Sequence, residues 1–458
     1  MNARAVPHLK LQSHVQPATA SSPGWWVAKE RGRNASAKNA GALDSTALPS
    51  PKPSRFQTMR PPAASRLRPA TLLPTPWRAR HTSSPPPATA PDPADWERSP
   101  EWYGSQGRGW GRGAGEPVFS AASPVGNGVV TVTAHPASLA PLGSVAPEWR
   151  VLRFGEDTRQ SVALVDVPRG GGPASTPTSR PAALAFEYVK SVVACSLTAL
   201  GSMPPPILEA AAGGGAGGRT PQPPSILCIG VGGGSVPLAL ASLFPGASVA
   251  GVDLCPAVLG AADAMGLTAA AGRAPNLTIR LGDGVAALEA LPAGSLDLVV
   301  VDAFDGADDV PSALTTVGGV GLSAAAAALH PAHGALVINL HAGPKPGPGD
   351  WLTSLGRGGP AHPPTIVVRP DGTGPGASAL ATARAWSLAL LDGGAGSAWL
   401  VGVRRQANAV VVVARGGKGG GANSAASAAT AAAARAAMAL PFDVGDRAAY
   451  GYYRIGDG

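Results

Sequence analysis

Cysteine is scarce in this chain of 458 residues: there are three, Cys195, Cys228 and Cys255, with no CxxC spacing. An odd, scattered set argues against a disulfide framework and against a zinc site built from cysteines, and a reducing compartment is the simplest context. Aromatic residues make up only 5% and charged residues only 14%. Against that, 61 glycines and 48 prolines fill close to a quarter of the chain, so much of it has too little bulk for a packed core. No run of 18 apolar residues occurs, and no transmembrane helix is expected. The longest candidate, the Ala-rich stretch 422–440, is interrupted by Asn423 and Arg435. A GxSxG elbow and a P-loop lysine motif are also missing, which leaves serine-hydrolase and P-loop NTPase chemistry without support.

Acids are nearly missing from the first 90 residues. That segment holds 13 Lys and Arg against Glu30 and Asp44 alone, a charge of +11, while the remainder carries −3. The formal net charge of +8 therefore belongs to the leader. A nucleic-acid-binding body should carry its own basic face, so no nucleic-acid partner is expected. Residues 1–90, rich in Ser, Pro, Ala and Arg, have the composition of an organelle transit peptide, with the plastid favoured over the mitochondrion. A disordered basic tail on a cytoplasmic protein is the alternative.

Composition divides the rest. Residues 91–128 read as a Gly/Pro/Trp-rich linker whose Trp96, Trp102 and Trp110 are free to dock on the body. Residues 129–203 read as an N-terminal β-hairpin region followed by a helix over 183–200. Residues 225–415 read as the ligand-binding domain, and 416–458 as a Gly/Ala-rich tract and tail. Segments 169–181, 204–225 and 342–364 read as loops, because glycine loses much backbone entropy on ordering and proline removes donors.

From residue 225 strands and helices alternate. SILCIGV, SVAGVDL, NLTIRLGD, LDLVVVDAF and GALVINLHA read as strands, with helices between them, the last spanning 311–329. Such a series predicts an α/β fold: a mostly parallel Rossmann-like sheet with helices on both faces. Late strands at 398–404 and 409–414 are expected as an antiparallel pair at the sheet edge. Ligands of open α/β sheets bind outside the carboxyl ends of the strands, and the unusual residues stand there. Gly230, Gly232 and Gly234 follow the first strand, where glycine lets backbone approach a ligand and the next helix offers free N–H groups. Asp253 follows the second strand, placed to accept from both hydroxyls of a ribose. Asp283 and Gly284 follow the third, with a carboxylate able to accept from an adenine amine or to cap a helix. Asp302 and Asp305 follow the fourth. Glycines after one strand and acids after the next three define a site for an adenosine-bearing ligand. A nicotinamide dinucleotide fits less well, because Ser235 stands where its fingerprint wants the third glycine. His330 and His333 lie three apart, but Pro331 and Gly334 put them in a loop, and no metal site is expected.

The segment from about 150 to 415 resembles the spermidine-synthase-like branch of the class I S-adenosylmethionine-dependent transferases. Phe154 through Gln160-Ser161 looks like the amino-terminal hairpin whose glutamine helps hold the nucleoside. Ile229 to Gly234 looks like the glycine loop, and Val252-Asp253-Leu254 like the ribose-binding acid. Gly282-Asp283-Gly284 matches the adenine-side acid, and Val301 to Asp305 the active-site turn. Asn339-Leu340 and Asn408 to Val411 match late-strand signatures of members that are not synthases. The resemblance implies S-adenosylmethionine as co-substrate, catalytic roles for Asp302 and Asp305, and binding by Gln160, Gly230, Gly232, Gly234, Asp253, Asp283 and Gly284. It also implies pairing into a homodimer.

Two departures bear on the activity. Aminopropyltransferases carry an Asp where Gly233 stands, and a Pro where Gly306 stands. By resemblance that Asp engages the amino group of the decarboxylated ligand. Its loss takes a negative charge from beside the amino-acid end, so a ligand that keeps its carboxylate is better tolerated. The expected activity is methyl transfer to an acceptor the sequence does not identify. Aminopropyl transfer from decarboxylated S-adenosylmethionine and inactive nucleoside binding are the alternatives. Tyr188, on the helix ahead of the sheet, is expected either to line the pocket or to pack that helix.

Overall fold

The computed structural model describes residues 93–101, 115–201, 223–304, 310–341, 377–391, 396–416 and 453–455, less a few positions within these stretches, together with 203, 204 and 207. The leader, Trp102, Trp110, the Ala-rich stretch 422–440 and the loops 208–222 and 342–364 lie outside the described residues.

Two sheets organise the fold. The first is an antiparallel meander of five strands in sequence order: β1 (Glu116–Ala122), β2 (Val129–Pro136), β3 (Val145–Phe154), β4 (Thr158–Pro168) and β5 (Thr178–Leu184). Strand β1 falls inside the segment expected to be a linker. Its burial pattern is almost wholly exposed, so composition alone gave no apolar signal for it. Strand β5 likewise begins inside the expected loop 169–181.

The second sheet runs β13-β11-β12-β10-β9-β6-β7-β8. Its strands are β6 (Ser225–Ile229), β7 (Ser248–Asp253), β8 (Leu277–Leu281), β9 (Leu298–Val301), β10 (Ala335–His341), β11 (Gly396–Gly402), β12 (Asn408–Arg415) and β13 (Tyr453–Ile455). Strands β6 to β10 pair in parallel, and β12 returns antiparallel between β10 and β11. The late hairpin is therefore not the edge: β12 is interior, and β13, from the expected tail, covers β11. The order reverses beside β6, flanked by β7 and β9, and this switch point opens a crevice at the strands' carboxyl ends.

Apolar residues on both faces of the parallel strands build the core. One face packs under the helix Glu187–Gly201, whose residues from Val189 to Leu200 are buried, and the helix Ser235–Leu243. The other packs under Val320–Ala328 and Ala377–Leu391. The helix expected over 311–329 is two, Ser312–Thr315 and Val320–Ala328, because Gly318 adopts a φ of 70° that continues no helix. The meander packs Val130, Val132, Leu152 and Val165 on the helix Pro256–Ala264, which fixes β4 beside the glycine loop.

Two short helical turns, Pro93–Trp96 and Ser99–Glu101, belong to this body and not to a linker. Trp96 is wholly buried, with the Lys190 ammonium 5.3 Å from its ring. Asp95 receives Arg98 and Arg180, and Glu101 accepts from the Trp149 indole at 3.0 Å. Trp96→Ala is expected to cost about 3–5 kcal/mol, read as a lowered denaturation midpoint. No helix among the described residues is long and apolar enough to cross a membrane.

Candidate active site

A cavity of about 310 Å³ opens at the carboxyl ends of β6, β7 and β9. That is the size of a site for a nucleoside-sized ligand. Gln160, Gly230, Gly232, Asp253, Asp283, Gly284 and Asp302 all line it. Of the remaining expected residues, Gly234 sits behind the wall, against the Leu267 side chain, and Asp305 lies outside the described residues.

The glycine loop follows β6 directly. Gly230 has a φ of 89°, and a Cβ there would run into the Asp302 carbonyl on the neighbouring strand. The close approach of the backbone just past the paired strands β6 and β9, where the Asp302 N–H donates to the Ile229 carbonyl at 2.9 Å, requires glycine. Gly230→Ala is expected to lower stability by more than the ~1–3 kcal/mol of backbone strain alone, checked by thermal unfolding. Gly233 is packed rather than open: a Cβ would stand 2.5 Å from Ser161 Oγ and 2.7 Å from Met265 Cε.

Asp253 ends β7 and braces this loop. Its Oδ2 accepts from the Val231 N–H at 2.9 Å and the Gly232 N–H at 3.3 Å, and its Oδ1 from the Cys255 N–H at 2.9 Å. From the sequence this carboxylate is expected to accept from ribose hydroxyls. The structure adds that both oxygens are already held by backbone, with a further lone pair left on Oδ1. Asp283 caps the helix Gly284–Glu289 through Oδ1, 2.9 Å from the Ala286 N–H, and lines the cavity as well, so the two readings of that residue coexist.

Asp302 follows β9 directly, at the floor. Burial pushes its carboxyl up to about 6, against a 2.8 Å hydrogen bond from Asn339 Nδ2 that pulls it down. Tyr188 lines the same cavity; its hydroxyl donates to the Gln160 carbonyl at 3.1 Å and its N–H to Gln406 Oε1 at 2.7 Å. The described residues lining the cavity include three carboxylates and no Lys, Arg or His.

Some of the lining was not anticipated. Val125 and Asn127 reach the cavity from the turn between β1 and β2, tied down by Ser123 Oγ, 3.3 Å from Cys255 Sγ. Ser235, at the helix N-terminus, stands 3.4 Å from Ser161, which the sequence places beside Gln160 in the hairpin. Asn339 lies behind the lining, bonded to Asp302, and is marked in the sequence only as part of a late-strand signature. His330 and His333 stack at 3.6 Å in the turn ahead of β10, and His333 bonds Asp297, at the opposite end of the strands from the cavity.

No protein-family model matches the chain, and no curated protein does. Among solved structures, it is similar to a probable spermidine synthase from Corynebacterium glutamicum, at 14% identity over 74% of this chain and 96% of that one, with a TM-score of 0.41. It is similar to human methyltransferase-like protein 13 in complex with SAH, at 18% identity over 56% and 94%, TM-score 0.36. It is also similar to the spermidine synthase of Thermotoga maritima, at 13% identity over 66% and 74%, TM-score 0.34. Scores this low carry nothing about chemistry. The strand order itself, with its antiparallel β12 inserted between β10 and β11, is that of the class I methyltransferase fold.

Proposed function

We propose that the chain is an S-adenosylmethionine-dependent methyltransferase acting on an amine-type acceptor. The observation that carries this reading is the meeting of Asp253, Asp283 and Asp302 with Gly230 and Gly232 on one cavity whose described lining holds no cation. Such a surface favours an adenosine bearing a positive sulfonium and disfavours an anionic acceptor. Methyl transfer is preferred over aminopropyl transfer because the place beside Gly233 holds Ser161 and Met265 and no carboxylate. The hydroxyls of Ser161 and Ser235, and the free N–H groups of the helix they adjoin, suit the carboxylate of an intact amino-acid tail.

The co-substrate supplies an already activated methyl group. The chain's part is to hold the acceptor nitrogen in line with the S–CH3 bond, where positioning alone is worth ~7–11 kcal/mol. As nitrogen bonds the methyl carbon, the S–CH3 electron pair returns to sulfur, and the proton shed by nitrogen passes to the Asp302 carboxylate.

Thermal-shift measurements on the purified chain test the reading. S-adenosylmethionine should raise the melting temperature more than its decarboxylated form, and NADH should leave it unchanged. At a ligand concentration of 100 Kd the expected stabilisation is about 2.7 kcal/mol. A larger shift with the decarboxylated form would transfer the assignment to aminopropyl transfer; a response to NADH alone would end it.

A further inference from the structure

Strand β10 is apolar except at Asn339, which is wholly buried, and at His341. The pairing of β10 with β12 sets His341 opposite Asn408 and Asn339 opposite Val410, so Asn408 and Asn339 are diagonal neighbours on one face of the sheet. Asn408 Nδ2 donates to Asn339 Oδ1 at 3.1 Å, and Asn339 Nδ2 donates to Asp302 Oδ1 at 2.8 Å. Three adjacent strands thus contribute one polar group each to a chain of hydrogen bonds that ends at the cavity floor.

The direction of this chain is fixed by chemistry. An ionised carboxylate only accepts, so Asn339 must turn its NH₂ toward Asp302. Its oxygen then faces β12, where Asn408 must turn its own NH₂ to meet it. Neither amide can reverse alone without setting two acceptors or two donors face to face. From this we propose that Asn339 and Asn408 form a two-amide positioning relay that holds Asp302 in one orientation and in its ionised, proton-accepting form. The inference rests on the methyl-transfer reading for what Asp302 does, but the relay is measurable without turnover. Neither asparagine needs to touch the substrate: Asn408 acts on Asp302 through Asn339.

The other titratable groups around Asp302 do not replace the relay. Cys228, on the adjacent strand β6, has its thiol pushed up by burial and then by Asp302, and stays protonated. Tyr188 spends its hydroxyl on the Gln160 carbonyl. Asp253 and Asp283, on the cavity wall, can only oppose a second negative charge, and His341 lies two residues beyond Asn339 on the same strand.

The experiment uses the full chain labelled with ¹³C-aspartate, with the Asp302 carboxyl resonance identified by its loss in Asp302→Asn. Its titration is followed in the wild type, Asn339→Leu, Asn408→Asp and Asn408→Ser. Asn408→Asp is isosteric and reverses the polarity at the far end of the relay. The titration midpoint should rise by about one to two pH units in Asn339→Leu, the worth of a charge-assisted hydrogen bond. It should rise in Asn408→Asp as well, and return toward the wild type in Asn408→Ser, which keeps a donor. In turnover, kcat should fall and its pH profile should move up with the midpoint, while KM for the donor holds. An unchanged midpoint in Asn339→Leu and Asn408→Asp, both folded by their melting temperature, would overturn the relay. Shifted midpoints with full transfer in Asp302→Asn would keep the relay and reject the role given to Asp302.

Discussion

Asp302→Asn is expected to cut methyl transfer by about 10²–10⁴-fold, the usual worth of a positioned proton acceptor, while leaving the affinity for S-adenosylmethionine near that of the wild type. The replacement is nearly isosteric, and its oxygen still accepts from Asn339, so the floor of the cavity keeps its shape. What disappears is the negative charge and the proton-accepting power. In the wild type burial holds the carboxyl near 6, so transfer should rise from low pH, pass its midpoint close to pH 6 and level off above pH 7. The variant's residual rate should lack that limb. Stability should move the other way. A carboxyl whose folded-state value is raised contributes stability that is present in acid and is lost as pH rises through 6. Removing the charge should therefore raise the melting point at pH 8, by the equivalent of about 1–3 kcal/mol, and change it little at pH 4. A variant that melts higher at pH 8 and transfers poorly marks a residue kept for chemistry. A variant that transfers normally across the pH range would show that Asp302 only shapes the pocket.

Strands β6, β7 and β9 were legible in the sequence because each is a short, nearly continuous apolar run closed by Gly or Asp at its carboxyl end. The Gly and Asp residues that end or follow β6 to β9 gave six of the cavity's lining residues, including Asp253, Asp283 and Asp302, and the resemblance of the hairpin gave Gln160. What stayed hidden has a common cause. Strand β1 exposes most of its residues and so shows no apolar period. Strand β13 is three residues long and pairs with β11 across a wide gap in sequence. The turn carrying Val125 and Asn127 reaches the cavity only because the meander packs on the helix Pro256–Ala264, a contact that no local pattern encodes. Asn339 and Asn408 were recognised as signatures before any role was visible, since the role depends on β12 being inserted next to β10.

Asp253→Ala should abolish S-adenosylmethionine binding in practice, weakening it at least about 100-fold, because two things fail together. The ribose loses a charged acceptor. The loop loses its brace, since the Val231, Gly232 and Cys255 N–H groups all give up their acceptor. Each donor left unpaired costs about 1–3 kcal/mol where water cannot reach it, so the unliganded protein should also melt several degrees lower. Asp253→Asn separates the two contributions. It keeps one oxygen and sets an NH₂ against donors on the other side, so one arm of the brace survives while the charge does not. If the carboxylate serves the ligand directly, the Asn variant should bind almost as poorly as the Ala variant but melt closer to the wild type. If it serves only the loop, affinity and melting temperature should recover in step. Calorimetric titration beside a melting curve, on the same two proteins, decides between a ligand contact and a brace. The first outcome is expected, because Oδ1 already takes one backbone hydrogen bond and still has a lone pair to offer.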